Sequence, residues 1–198
     1  QHGLTDEYLS IDLTAVIAQS IPQWKRLRIP PAREGFISFF FQDSFYIHGG
    51  RNGDIFYSDM WAFDIPQQTW QLVSSENMPT IECAFHSAIR YSNKILVFGG
   101  LAAYGPLNEL HEYDLLTNNW NRITPASPLP PPRYNHISVV YGREMYVFGG
   151  VGNGQLVDMW VYSFANRDWT PAVGGVPLEN SRKQAGLVLG SYLYLFGG

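Results

Sequence analysis

The chain has a single cysteine, few charged residues and no long apolar run. Cys83 is the only cysteine among 198 residues, which excludes an intrachain disulfide and a cysteine-based zinc cluster. Charged residues make up 15% of the chain, well below the quarter or so that is usual in globular domains. No stretch approaches the ~18 consecutive apolar residues of a membrane-spanning helix, so we predict no membrane span in this chain.

Basic residues are too few to suggest a nucleic-acid partner. The 13 Lys and Arg stand against 17 Asp and Glu, for a net charge of −4, and no basic tract is present to neutralise a phosphate backbone. The first residues lack the basic and apolar regions of a signal peptide, and Asn-x-Ser/Thr sequons are absent. Together with the lone cysteine, this favours a cytoplasmic location, with an extracellular one open if the chain is a piece of a longer protein.

Aromatic residues and glycines are plentiful, and both recur with a regular period. Gly-Gly pairs stand at 49–50, 99–100, 149–150 and 197–198, each directly after a short apolar run. An acidic residue and aromatic residues follow about ten positions later, and a lone tryptophan follows as Trp70, Trp120 and Trp169. Each period contains four short segments rich in β-branched and aromatic residues, separated by Gly, Pro, Asn and Asp. This composition predicts four antiparallel strands per repeat.

A repeated four-stranded unit can bury both of its faces only by stacking radially on its neighbours, as in a β-propeller. The recurring marks, with a Pro-x-x-Arg-x-x-His segment before them, resemble the kelch repeat. The best copy runs from Pro130 through Arg133, His136 and Gly150 to Trp169. The resemblance covers almost the entire chain and implies an all-β, kelch-type propeller. The arginine position of the repeat reads Arg33, Cys83, Arg133 and Ser181, and the histidine position reads Phe36, His86, His136 and Gln184.

The chain amounts to about four blade-equivalents of four strands. We predict complete blades at about 31–80, 81–130 and 131–180, and half blades at 1–30 and 181–198. The first half carries the marks of third and fourth strands and the last half those of first and second strands, so the halves could close a four-bladed ring. Kelch propellers usually have more blades, which favours a piece of a larger propeller. An open piece would expose blade faces and is expected to self-associate.

Recurrence at a fixed position indicates a structural role. We expect the repeated tryptophans to pack between neighbouring sheets, and Asp12, Asp64 and Asp114 to form turns. The resemblance leaves two possibilities for His86 and His136: a pair facing the central channel, or hydrogen bonds within each histidine's own blade, which we favour.

Sequence motifs of enzymes are missing from the chain. It contains no Gly-x-Ser-x-Gly, phosphate loop or His-Glu-x-x-His, each of which carries a known catalytic chemistry. Galactose oxidase, a kelch-like enzyme, uses copper and a cysteine-linked tyrosine, but no matching ligand set accompanies Cys83. We therefore expect no catalytic residue, no metal site and no cofactor.

The loops differ between repeats, and recognition on a rigid scaffold usually lies in its loops. Loops 51–57, 101–107 and 151–156 join second to third strands, and linkers 75–82, 125–132 and 172–182 join blades. We expect both sets to emerge on one face of the propeller. Exposed Arg and Tyr commonly anchor interfaces. The candidate binding residues on this face are Arg33, Arg51, Asn52, Tyr57, Tyr104, Arg133, Asn153 and Arg182.

Arg33 and Arg133 have two open roles. In kelch adaptors that resemble this chain, arginines at such places can hold acidic peptides; otherwise the two arginines brace the linkers through backbone hydrogen bonds. The resemblance implies a non-enzymatic module that binds a protein or peptide ligand, with an acidic ligand as one candidate. The alternatives are an enzyme or carbohydrate-handling propeller whose active-site parts lie outside this chain, and a structural segment of a cell-surface or cytoskeletal kelch protein.

Overall fold

A computed structural model describes residues 9–11, 24–26, 29–75, 77–79, 81–172 and 185–197. Within these ranges the regular structure consists of strands, and no helix long and apolar enough to cross a membrane is present. The strands are β1 (Leu9–Ile11), β2 (Trp24–Arg26), β3 (Ile37–Phe41), β4 (Ser44–His48), β5 (Arg51–Asn52), β6 (Ile55–Phe56), β7 (Met60–Asp64), β8 (Thr69–Leu72), β9 (Ser87–Tyr91), β10 (Lys94–Ala102), β11 (Gly105–Asp114), β12 (Asn119–Ile123), β13 (Ile137–Tyr141), β14 (Glu144–Phe148), β15 (Val151–Gly152), β16 (Gly154–Gln155), β17 (Met159–Ser163), β18 (Asp168–Pro171), β19 (Ala185–Leu189) and β20 (Tyr192–Phe196).

The large sheets repeat one antiparallel arrangement. The first sheet has the order β3-β4-β7-β8, the second β9-β10-β11-β12 and the third β13-β14-β17-β18. Two hairpins, β1–β2 and β19–β20, come before and after these sheets in the chain as two-stranded pairs. The all-β kelch-propeller prediction is confirmed, and the sheets form a partial propeller in which none closes on itself. The exact blade limits stay a prediction.

The core lies between neighbouring sheets. Ile37 and Met60 of the first sheet pack with Val97 and Trp120 of the second, and a second cluster joins the second and third sheets. Trp120 and its counterpart in the third sheet, Trp169, are each only 1% exposed, which confirms the predicted packing role. Each large apolar side chain buried in this way contributes about 1.5–3 kcal/mol.

The Gly-Gly pairs mark the point where one blade meets the linker of the next. Gly99 has a φ of +64°, and a Cβ there would lie 2.6 Å from the carbonyl oxygen of Arg133. The neighbouring Gly100 N–H donates to that same oxygen at 2.8 Å. Glycine is therefore required both for the left-handed conformation and for the close approach.

The first strands of successive blades lie side by side. β9 packs against both β3 and β13, and β13 also packs against β19. Backbone hydrogen bonds join the blades at the ends of these strands. Phe85 N–H donates to Gly35 O at 2.6 Å, and Asn135 N–H donates to Phe85 O at 2.9 Å. These contacts hold the linker ends of three blades in a fixed row.

Candidate binding face

The loops between second and third strands fold as short hairpins. β5 pairs with β6, β15 pairs with β16, and β10 continues past a bulge into the hairpin with β11. Each hairpin also pairs with the linker that enters its blade, through the bridges Glu34–Arg51, Ala84–Leu101 and Tyr134–Val151. We call the surface formed by these three hairpins and the linker ends 33–36, 83–86 and 133–136 the loop face.

Arg33 and Arg133 do not open onto the loop face as expected, because both side chains are 0% exposed. Arg133 Nη1 donates to Gly149 O at 3.0 Å, and Arg33 Nη1 donates to Gly49 O at the same distance. The expectation of exposure is wrong, and the observed contacts are those of the bracing alternative. Two parallel bonds from each guanidinium to a carboxylate compensate for the loss of water around the buried charge.

The carboxylate partners are Asp59 and Asp158, whose role sequence reasoning missed. Arg133 Nη2 donates to Asp158 Oδ2 at 2.7 Å, and Trp160 Nε1 donates to the same oxygen at 2.8 Å. Burial alone would raise the pKa of Asp158, but these hydrogen bonds outweigh burial and lower the pKa below its usual value. The available signal was the spacing, since Asp59 follows Arg33 by 26 residues and Asp158 follows Arg133 by 25.

The second blade replaces both members of this pair. Cys83 stands at the arginine position and Glu109 at the aspartate position. Glu109 instead accepts a hydrogen bond from His111 Nε2 at 2.9 Å and forms an ion pair with Arg122 Nη2 at 2.8 Å. Burial raises the pKa of the Cys83 thiol to about 12. A cavity of about 20 Å³ remains beside Cys83, Glu109 and Trp120, which is room for about one water molecule.

The two repeat histidines make different contacts. His86 Nδ1 lies 3.7 Å from the sulfur of Cys83, but His136 Nε2 lies 2.7 Å from Ser87 Oγ in the second sheet. The expectation that His136 bonds within its own blade is therefore wrong, since its partner belongs to the preceding blade. Burial lowers the pKa of His136 to about 3. Across the described part of the chain, no three His, Cys, Asp or Glu side chains are grouped so that they could hold a metal ion.

Arg51 is the predicted site residue with the most distinctive surroundings. Its guanidinium lies 5.0 Å from the ring centroid of Phe85, which belongs to the next blade, and 6.0 Å from that of Phe56. Arg51 Nε donates to Glu34 Oε1 at 3.0 Å. The side chain of Arg51 is 32% exposed and that of Glu34 is 49% exposed. Arg51 therefore presents an oriented positive charge at the junction of two blades.

Phe85 and Tyr134 extend this arrangement across three blades, and the sequence had not singled them out. Their ring centroids are 6.5 Å apart. Phe85 has a φ of +58°, a conformation that is uncommon for a bulky side chain. The repeat pattern does not mark either position, so only the neighbouring blades reveal that Arg51, Phe85 and Tyr134 form a row, which we call the aromatic row.

The remaining predicted site residues are spread over the loop face. Asn52 and Tyr57 share the Arg51 hairpin and are half-buried, and the Tyr57 ring lies 4.1 Å from the guanidinium carbon of Arg33. Tyr104 is 77% exposed at the tip of the second hairpin, and Asn153 is exposed at the tip of the third. Arg182 lies outside the described residues.

Comparison with known proteins places this architecture among kelch repeats. A family model for the KLHDC2/KLHL20/DRC7 Kelch-repeats domain matches residues 4–198. Kelch domain-containing protein 3 from Homo sapiens is 30% identical over 186 residues, which cover 86% of this chain and 48% of that protein. Host cell factor 2 from Homo sapiens is 32% identical over 146 residues, which cover 69% of this chain and 18% of that protein. The chain thus spans about half the length of Kelch domain-containing protein 3.

Proposed function

The chain belongs to the kelch-repeat family, and from that premise we propose that it is a non-catalytic module that binds a protein or peptide on its loop face. The observation that carries the proposal is the half-exposed guanidinium of Arg51 held against the rings of Phe85 and Phe56. Arginine stacked on aromatic rings is a recurrent anchor of protein interfaces, because its planar fork can bind a carboxylate with two hydrogen bonds.

The surroundings of Arg51 lower the cost of binding. The two rings restrict the side chain before any ligand arrives, so less conformational entropy is lost when a ligand binds. The present partner, Glu34, is 49% exposed, and an ion pair of that kind contributes only about 0–1 kcal/mol. An acidic side chain of a ligand can therefore replace Glu34 at little cost, and we infer that the ligand places an Asp or Glu at Arg51.

The rest of the loop face supplies the periphery of such a site. Tyr104 and Asn153 stand at hairpin tips, where aromatic and adaptable polar side chains contact a partner without large desolvation. In this proposal the buried Arg33 and Arg133 are positioning residues, because they tie the linkers to the Gly-Gly turns beneath the hairpins. The aromatic row sets the direction of the ligand across the blades.

A selection experiment tests the proposal with a defined probe. A random peptide library displayed on phage is selected on the wild-type chain and on Arg51→Ala. The wild type is expected to enrich peptides rich in Asp and Glu, and Arg51→Ala to bind the enriched peptides at least ~10-fold more weakly, measured by fluorescence anisotropy. Phe85→Asn, which copies the residue at the same position of the next blade, is expected to weaken binding in the same direction.

Arg90 provides a matched control for the loss of one arginine. It is exposed and lies 5.3 Å from the Phe41 ring, at the opposite end of the sheets. Arg90→Ala is expected to bind the selected peptides like the wild type. Equal affinity of Arg51→Ala and wild type would show that the site is placed wrongly, and failure of the wild type to enrich any peptide would contradict the proposed function itself.

A further inference from the structure

The linker between the second and third blades is far richer in proline than the other two linkers. Residues 125–132 include five prolines, whereas linkers 75–82 and 172–182 include one each. The linker joins two complete four-stranded sheets, so it lies well inside the chain. The backbone bends at Ala126 and Ser127 and then forms neither helix, strand nor turn from Pro128 to Arg133.

Proline restricts this segment to one kind of backbone conformation. Each proline ring fixes φ at about −65°, and a residue that precedes a proline is pushed toward extended angles. Every residue from Ser127 to Pro132 either is a proline or precedes one. The segment therefore favours a polyproline II helix, which has three residues per turn and no internal hydrogen bonds.

Burial along the linker follows the same period of three. Pro130 and Arg133 are buried and Ser127 is half-buried, whereas the two residues between each of these positions are exposed. We call the exposed residues the proline ridge; they are Pro128, Leu129, Pro131 and Pro132. Residues three apart lie along one edge of a polyproline II helix. Pro128 and Pro131 therefore form one exposed edge, and Leu129 and Pro132 form the other.

Hydrogen bonds hold the buried edge of the linker on both blades. Ser127 N donates to Asp168 Oδ1 in β18 at 3.0 Å, and Asn108 Nδ2 in β11 donates to Pro130 O at 3.2 Å. Arg133 is fixed by its contacts with Gly149 and Asp158. The linker is thus anchored at every third residue, and the ridge keeps one orientation before any partner arrives. A ligand that is already ordered loses less conformational entropy on binding.

A groove beside the ridge offers an exposed positive charge. Leu129 borders a groove of about 230 Å³ that is also lined by Pro125 and Arg122. The side chain of Arg122 is 61% exposed and pairs with Glu109, and an ion pair of this kind contributes only about 0–1 kcal/mol. A carboxylate of a partner can therefore bind Arg122 at little cost. Arg133 follows the prolines in the sequence but is wholly buried, so it is out of reach of a partner.

We propose that the proline ridge is a preformed ligand for a polyproline-binding domain of a partner protein. Domains of the SH3 and WW kinds bind Pro-x-x-Pro segments in a groove lined by aromatic side chains. The ridge presents Pro128 and Pro131 at this spacing, on a backbone that is already held in place. The partner that fits has such a groove, with an acidic residue beside it that binds Arg122. This inference uses neither Arg51 nor the aromatic row.

An array of purified SH3 and WW domains, probed with the labelled wild-type chain, tests this inference. At least one domain is expected to bind with a dissociation constant of ~100 μM or tighter. Pro131→Ala and Pro128→Ala, which shorten the same edge of the ridge, are each expected to weaken binding to that domain at least ~5-fold. Pro66→Ala is the matched control, because Pro66 is exposed in the turn between β7 and β8, and it is expected to bind like the wild type.

Arg122→Glu tests the position of the acidic residue in the partner. The reversed charge would repel that residue, so the variant is expected to bind the selected domain at least ~5-fold more weakly than the wild type. Thermal unfolding of each variant shows that a loss of binding is not a loss of fold. Equal affinity of Arg122→Glu and wild type would contradict the proposed contact with Arg122.

A synthetic peptide of residues 124–132 separates a preformed ridge from a flexible proline motif. The peptide keeps all five prolines but lacks the anchors on the blades. The folded chain is expected to bind the selected domain at least ~5-fold more tightly than the peptide, because its linker is already ordered. Fluorescence anisotropy measures both affinities.

Three results overturn the inference. The first is an array on which no domain binds the wild-type chain. The second is wild-type affinity of both Pro131→Ala and Pro128→Ala. The third is a peptide that binds as tightly as the folded chain, which would mean that the blades do not present the ridge. Acidic peptides selected on the loop face are expected to bind Pro131→Ala like the wild type, so the two proposals fail or succeed separately.

Discussion

Arg133 and Asp158 form a two-bond ion pair, with Nη1 to Oδ1 at 2.8 Å and Nη2 to Oδ2 at 2.7 Å. The pair connects the linker that enters a blade with the start of the third strand of that blade. Arg33 and Asp59 repeat it in the first sheet, and Cys83 and Glu109 replace it in the second. Leaving Arg133 without its partner would cost more stability than leaving Asp158 without its partner. The reason is that the Arg133 side chain is wholly buried, whereas that of Asp158 is partly exposed.

Removing the carboxylate is therefore expected to destabilise the chain more than removing the arginine. Asp158→Ala leaves a buried charge without its partner and is expected to lower the free energy of unfolding by about 3 kcal/mol. Arg133→Met leaves a carboxylate that water can reach and is expected to cost about half as much. Urea unfolding at pH 7 measures both. Arg122→Ala, which removes the exposed member of the ion pair with Glu109, is the control and is expected to change stability by less than about 1 kcal/mol.

The second blade is expected to accept the ion pair of its neighbours only if both positions change. Cys83→Arg alone meets a carboxylate that is one methylene longer than aspartate and already bonded to His111 and Arg122, and overpacking of this kind costs about 1–3 kcal/mol. Adding Glu109→Asp is expected to recover at least half of that loss. A double-mutant cycle in urea measures the coupling, and strictly additive effects would contradict the structural equivalence of the three pairs.

The buried histidines are expected to make the fold sensitive to mild acid. Burial lowers the pKa of His48 to about 4 and that of His136 to about 3, from an ordinary value of 6.5. Between these values and pH 6.5 the unfolded chain binds protons that the folded chain does not, so stability is lost as the pH falls. Each histidine contributes up to about 1.4 kcal/mol per pH unit in that window.

Urea unfolding at pH 7.5, 6 and 5 measures this loss, and His136→Gln is expected to show a shallower fall with pH than the wild type. The aspartates give a separate signal. The folded pKa of Asp59 is lowered, so its contribution is present above pH 4 and is lost below it. A stability that stays flat from pH 7.5 to 5 would mean that the histidines are protonated in the fold.

Two glycines share the same backbone conformation but have different surroundings. Replacing each with alanine therefore measures the steric cost of a Cβ separately from its conformational cost. Gly99 and Gly142 have φ of +64° and +63°, but a Cβ at Gly142 would meet no atom within 4 Å, whereas one at Gly99 would lie 2.6 Å from the Arg133 carbonyl oxygen. Gly142→Ala is expected to cost about 1 kcal/mol through its left-handed φ alone. Gly99→Ala is expected to cost about 2 kcal/mol more. Thermal and urea unfolding measure the stability of both variants. Equal losses of stability would contradict the close contact between Gly99 and the Arg133 carbonyl oxygen.

Residues that repeat at a fixed position were the predictable part of the fold. The strands, the glycine turns and the packing of Trp120 and Trp169 follow from local alternation and from the Gly-Gly period. Asp114 accepts hydrogen bonds from Leu116 N and Thr117 N in its turn, as its position predicted. These interactions join residues that are close in sequence, or involve positions that recur in successive blades. A single sequence is therefore enough to predict them.

The binding face was less predictable, because its residues meet across blades. Arg33 and Arg133 stand at the ends of linkers, which predicts that they open onto the loop face; their burial depends on carboxylates about half a repeat away. Arg51 contacts Phe85, and His136 contacts Ser87, across the boundary between two blades. The repeat period does not predict which side chain of the neighbouring blade each residue contacts.

The repeated four-stranded β-units and the resemblance to kelch propellers are already encoded in the amino-acid pattern. Strand alternation, glycine turns and repeated aromatic residues are properties of each unit, written in about 50 consecutive residues. Which arginine is buried and which is exposed follows from the packing of neighbouring blades. Those outcomes depend on side chains from adjacent blades competing for the same space, and that competition exists only once the blades are packed together.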